Sequence, residues 1–217
     1  MEEKNEQLKN LAEIRSLMER SSRFISLSGL SGISAGIIAL IGATIAFIYL
    51  GYNLRYTDWG AYIHLMAARD ILQVTIVLSV IALIVFVSAL AAGIYFTTRK
   101  ALKNDLPIWD KTTKRLLFHV FVPLLTGGIF CIVLLYYGVY FLIASATLIF
   151  YGLALINGSK YTLTDVQYLG ICELILGIIS AVLPGYGLIF WALGFGVLHI
   201  IYGWIMYVKY EKKNVKI

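Results

Sequence analysis

Tyr168-Leu-Gly-Ile-Cys-Glu-Leu-Ile-Leu-Gly-Ile-Ile-Ser-Ala-Val-Leu-Pro-Gly-Tyr-Gly-Leu-Ile-Phe-Trp-Ala-Leu-Gly-Phe-Gly-Val-Leu-His-Ile-Ile-Tyr-Gly-Trp-Ile-Met-Tyr-Val208 decides the fold. It holds two apolar runs, Tyr168 to Pro184 and Gly187 to Val208, joined by Pro184-Gly-Tyr-Gly187. Each run approaches or exceeds the length that crosses a hydrocarbon core, and neither shows the polar face a soluble helix would carry. The Pro-Gly-Tyr-Gly punctuation predicts a tight turn, so the stretch reads as an antiparallel transmembrane hairpin.

Four further runs precede it: Phe24 to Leu50, Ile71 to Phe96, Leu116 to Gly138 and Val139 to Asn157. Lipid offers no hydrogen-bond partner, so runs of this length are helices. The expected architecture is all-α, a polytopic membrane bundle of six transmembrane helices. The composition agrees: 60% of the 217 residues are apolar and only 14% charged, which leaves no room for a separate soluble domain.

The net charge of +6 is distributed by loop. Lys4, Lys9, Arg15, Arg20 and Arg23 precede the first run. Arg99, Lys100, Lys103, Lys111, Lys114 and Arg115 lie between the second and third, Lys160 between the fourth and fifth, and Lys209, Lys212, Lys213 and Lys216 after the sixth. The other side holds Arg55 and Arg69 alone. This positive-inside pattern predicts that both termini are cytoplasmic. The basic loops are expected to attract anionic lipids rather than nucleic acid, since no nucleic-acid motif accompanies them. Short loops and the lack of sorting motifs suit a bacterial inner membrane. No cleaved signal peptide is expected, because the first apolar run is too long for an h-region.

Residues Glu2 to Arg23 read as a cytoplasmic amphipathic helix with a stripe of Leu8, Leu11, Ile14 and Met18. It is expected to lie on the headgroups or the bundle; a second reading makes it the docking site of a cytoplasmic protein. Residues 209–217 form a basic tail. The outer loop Gly51 to Asp70, with Tyr52, Tyr56, Trp59 and Tyr62, is expected in the aromatic interface. The loop Thr97 to Arg115 is expected to dip into the headgroup layer through Leu106, Pro107, Ile108 and Trp109.

Small residues mark helix contacts. Ser28, Gly32 and Gly36 fall on one stripe of the first span, Gly177 on one of the fifth, and Gly196 and Gly203 on one of the sixth. These faces are expected to pack within the chain, and they also permit a homo-oligomer.

Glu173 is the acidic residue deep in a span, on the stripe Gly170, Glu173, Gly177, Ser180. His199 lies on the stripe Ala192, Gly196, His199, Gly203. Each is thirteen positions from Tyr186, so an antiparallel hairpin sets both at one level and predicts a Glu173–His199 pair. The plain role is to dock two helices; the sharper role is a proton site. His119 and Asn157 are weaker polar candidates near the cytoplasmic ends of the third and fourth spans, and Pro123 is expected to kink the third. Cys131 and Cys172 fall inside spans as free thiols, with no metal ligand set and no cofactor implied. H-E-x-x-H and G-x-S-x-G are both missing, so no catalytic residues are assigned.

The opening Glu13-Ile-Arg-Ser-Leu-Met-Glu-Arg-Ser-Ser-Arg-Phe-Ile-Ser-Leu-Ser-Gly-Leu-Ser-Gly32 and the close Pro184 to Gly203 resemble those of an uncharacterised family of bacterial six-span membrane proteins. The compact Gly-rich hairpins are similar to those of HdeD-like acid-resistance membrane proteins, a resemblance that implies a stress role. The leading expectation is therefore a non-enzymatic inner-membrane protein, structural, regulatory or stress-related, that works through partners or lipids. The alternative is a small proton-coupled transporter or channel using Glu173 and His199.

Overall fold

A computed structural model describes residues 27–53 and 68–212. The expected N-terminal helix, most of the outer loop and the end of the basic tail lie outside these residues. Six helices long and apolar enough to cross a membrane follow one another: α1 (Gly29–Asn53), α2 (Ala68–Lys103), α3 (Lys111–Tyr136), α4 (Ile143–Gly158), α5 (Asp165–Val182) and α6 (Gly187–Tyr210). Short 3-10 turns, Tyr140–Leu142 and Ser159–Tyr161, flank α4. No strand occurs among the described residues.

The expected spans are found, with shifted ends. The largest correction is α2, which continues past Phe96 to Lys103, so that Arg99, Lys100 and Lys103 are helical rather than part of a loop. Nothing between Thr97 and Lys103 breaks a helix, and long basic side chains can ride a helix out to the water. The chain turns at Asp105, whose φ of 50° is a left-handed conformation that a short acidic side chain tolerates. α3 then starts early, because Asp110 caps it by accepting from the Thr113 amide and hydroxyl, each at 2.6 Å. Partial burial opposes ionisation of Asp110, but these hydrogen bonds outweigh it and hold the carboxyl below its ordinary range. At the other face the turns at Gly138 (φ 72°) and Gly185 (φ 99°) use left-handed backbone, which glycine adopts without strain.

α6 lies at the middle of the bundle. On one side it packs on α1, and on the other on the tightly joined pair α4 and α5; α2 rests on the outside of α1, and α3 on the outside of α4. The outer helices accordingly present bulky apolar side chains to the bilayer, among them Leu83, Phe118 and Ile132.

Glycine sets the α1–α6 distance. A Cβ on Gly203 would lie 2.6 Å from the Ile33 amide nitrogen and 2.8 Å from the Gly29 carbonyl oxygen. One on Gly32 would lie 3.1 Å from the Gly203 Cα, and one on Gly36 2.6 Å from the Gly196 carbonyl. The small-residue face of α1 is thus filled from within the chain.

Polar ties gather at the basic face, where α1, α3 and α5 begin and α2, α4 and α6 end. Glu211, just past α6, accepts from the Gly29 amide at 2.7 Å and the Ser28 hydroxyl at 3.2 Å. Lys100 lies 3.4 Å from the same carboxylate oxygen and donates to the Leu27 carbonyl at 2.7 Å. The carboxylate therefore serves the electropositive start of α1 and binds it to the ends of α2 and α6. Asp165, at the start of α5, takes Lys209 at 2.9 Å and the Tyr210 hydroxyl at 2.6 Å.

Gly203→Ala must push two backbones apart and is expected to cost about 1–3 kcal/mol. Gly93→Ala, at a helix position with nothing within 4 Å, should instead be neutral or stabilise by up to about 1 kcal/mol. Denaturant unfolding in detergent compares the two; equal effects would remove glycine packing as the cause.

Candidate functional site

Glu173 is fully buried at the centre of the α4–α5–α6 junction. The stripe on which it lies is small because two backbones meet there. A Cβ on Gly170 would stand 2.8 Å from the Gly152 carbonyl, and one on Gly177 2.9 Å from the Ile149 amide nitrogen. Further along the same stripe, Ser180 accepts a 3.0 Å hydrogen bond from Ser145 of α4.

His199 reaches Glu173 from α6, with Nδ1 3.3 Å from Oε1. This is ion-pair distance, yet neither carboxylate oxygen has a hydrogen-bond partner among the described residues. The imidazole itself is fully engaged. Nδ1 lies 3.0 Å from the Gly194 carbonyl, and Nε2 2.7 Å from the Tyr151 hydroxyl of α4. A carbonyl can only accept, so Nδ1 carries a hydrogen. With Nδ1 donating to that carbonyl, Nε2 is the nitrogen that meets the Tyr151 hydroxyl.

The local backbone is shaped for this contact. Residues Ala192–Leu198 form a π-helical segment immediately before His199. π segments are uncommon and concentrate at functional sites. The wide turn brings the Gly194 carbonyl to the ring of a residue five positions later. Gly194 also makes room for the acid, since a Cβ there would run into Glu173 Oε2 and the Leu148 side chain. Phe195 stacks on His199 with centroids 6.0 Å apart and lies 4.9 Å from the Tyr151 ring, closing the site with aromatic surface.

Tyr151 and the π segment are the parts that sequence reading missed. Tyr151 had a signal: a phenol in the middle of a span needs a partner, and few polar groups lie at that level. The π segment follows from Ala192-Leu-Gly-Phe-Gly only in retrospect, because two glycines weaken a helix without saying how it will deform.

His119 and Asn157 lie away from this site and do another task. Pro123 has no amide hydrogen, so the His119 carbonyl four residues earlier loses its helical donor. Asn157 of α4 supplies one, its Nδ2 3.1 Å from that oxygen. The His119 ring stacks on Tyr161 at 4.8 Å, with its Nε2 3.0 Å from the phenol oxygen. The pair therefore fastens α3 to α4. Cys172 Sγ lies 3.7 Å from the Tyr202 hydroxyl, and Cys131 is likewise a free thiol. No group of three His, Cys, Asp or Glu side chains suited to a metal occurs among the described residues.

The chain matches no protein-family model, and no curated protein or solved structure is significantly similar to it.

Two predictions follow from these contacts. Asn157→Ala strands a carbonyl in the membrane and should cost about 1–3 kcal/mol. Adding Pro123→Ala restores the intrahelical donor and should recover most of the loss, read by thermal unfolding; a loss that persists in the double variant would show that Asn157 acts elsewhere. At the central site, Glu173→Gln and His199→Gln should be non-additive, with a coupling of about 0.5–3 kcal/mol. Additive losses would mean that the two side chains are neighbours without an interaction.

Proposed function

We propose that this chain is a non-enzymatic multi-pass protein of the bacterial inner membrane, with both ends cytoplasmic, regulated by a proton bound at Glu173 and His199. One observation carries the reading: a carboxyl group with zero exposure has no hydrogen-bond donor for either oxygen. A bare charge at span depth costs at least about 2.5–3.5 kcal/mol. A proton on the acid, or an imidazolium beside it, removes that cost.

The surrounding groups fit both arrangements. With Glu173 neutral, His199 is neutral and its bare Nε2 accepts from the Tyr151 hydroxyl. With Glu173 ionised, the imidazolium carries hydrogen on both nitrogens and Nε2 donates to the same oxygen. A hydroxyl both donates and accepts, so Tyr151 serves either state by rotating its hydrogen. Loss of the proton from both residues leaves a carboxylate beside a single N–H that the Gly194 carbonyl already engages. That state favours separation of α5 from α6, and α6 holds α1. Proton occupancy is in this way coupled to how the helices dock at the basic face, where anionic lipids and a cytoplasmic protein bound to residues 2–23 would respond.

A second reading, proton-coupled transport, is favoured by the Ser145–Ser180 hydroxyl pair, which extends the polar line from Glu173 away from the basic face.

Infrared titration tests the proton site. Wild type minus Glu173→Gln should show a carboxylic C=O stretch whose intensity changes with pH while the protein stays folded. An unchanging difference spectrum would reduce Glu173 and His199 to a fixed docking pair. Proton flux into proteoliposomes under an imposed potential separates the readings: flux lost in Glu173→Gln supports transport, and titration without flux supports regulation.

A further inference from the structure

α2 packs extensively on α1 alone. The end of α1, the start of α2, the start of α4 and the start of α6 line a partly open cavity of about 310 Å³. Its walls include Ala43 and Ala46 of α1, Thr75 and Ala82 of α2, Thr147 of α4 and Trp191 of α6. No charged side chain lines it. The Thr147 hydroxyl is already spent on the Ala144 carbonyl, at 2.7 Å.

We propose that this cavity is a binding site for one hydrocarbon chain of a bilayer lipid, entering between α2 and α4. Its volume falls within the range of about 300–1,000 Å³ typical of small-molecule sites. A cavity with so few polar groups does not retain water; apolar cavities stay dry and take apolar ligands. A charged ligand would find no counter-charge, since the polar groups on the walls are limited to neutral side chains such as Thr75, Ser79 and Tyr140, and leaving the space empty forfeits the dispersion contacts of its walls. At this depth the surrounding medium is itself hydrocarbon, and α2 already turns its other face, including Leu83, Ile84 and Phe86, towards it. Small residues on α1 and α2 line the space, and at its edge Gly42, also a lining residue, packs against Val85. The cavity also touches the proton site through one aromatic column. Trp191 lies 5.0 Å from Phe195, which stacks on His199. The proposal itself does not depend on the protonation reading.

Trp191 provides the readout. A chain carrying Trp59→Phe, Trp109→Phe and Trp204→Phe keeps it as the sole tryptophan, and a matching chain keeps only Trp204, which is exposed on the outside of the bundle. Both are titrated in detergent micelles with a phospholipid whose acyl chains are brominated. The expected result is quenching of Trp191 that saturates at one lipid per chain, against quenching of Trp204 that rises in proportion to lipid. Ala43→Phe or Ala82→Phe, from opposite walls, should abolish the saturable part. Proportional quenching of both tryptophans overturns the site, as does saturation unaffected by filling the cavity. Should the filled variants fail to fold, the comparison of Trp191 with Trp204 decides alone.

Discussion

Hydrocarbon supplies no hydrogen bonds, so each polar atom at span depth must be matched by another from the protein. Most of the interior of this bundle obeys that constraint by exchange between neighbouring helices. The carbonyl freed by Pro123 on α3 is met by Asn157 on α4, Ser145 on α4 by Ser180 on α5, and Tyr151 on α4 by His199 on α6. These matches do more than offset burial costs. Each fixes the rotation of one helix against the next, in a medium where apolar surface alone does not favour one rotation over another. Glu173 stands out against this background, because its oxygens have the His199 ring within 3.3 Å but no hydrogen-bond partner among the described residues.

Glycine makes the exchange geometrically feasible. Tyr151 and His199 meet only because α4, α5 and α6 are close, and they are close because Gly152, Gly170, Gly177 and Gly194 present no side chain at the contacts. The same logic on the far side of α6 brings in α1. A central helix with small faces in both directions is therefore held by backbone contact on two sides, and its π segment lies between those contacts. Within that segment Gly194 faces Glu173 of α5 while Gly196, two residues on, faces Leu40 of α1, and Gly203 continues the α1 contact beyond it.

Much of this was legible from residues alone. Six runs of apolar length gave the helices, and equal distances from Tyr186 placed Glu173 level with His199. The glycine stripes of α1 and α6 marked faces that do meet. What could not be read were features in which one residue repairs a defect made by another. Pro123 announced a missing hydrogen bond, but its remedy is Asn157, distant in sequence and on another helix. Tyr151 gave no periodic signal because its ring is as apolar as its neighbours and only the hydroxyl matters. The ends of α2 and α3 were misplaced for a simpler reason: hydropathy marks where the apolar run stops, whereas the helix continues until Asp105 turns the chain and Asp110 caps the next.

Apart from the buried Glu173–His199 contact, the ion pairs and the inter-helix capping contacts among the described residues belong to one end of the molecule. Lys100 and Glu211 unite α1, α2 and α6, while Lys209 and Asp165 unite α5 and α6. At the opposite end, α1, α2, α4 and α6 line a mainly apolar cavity. Among the described residues the two ends of the bundle therefore differ in kind, with charged ties at one and a mainly apolar hollow at the other.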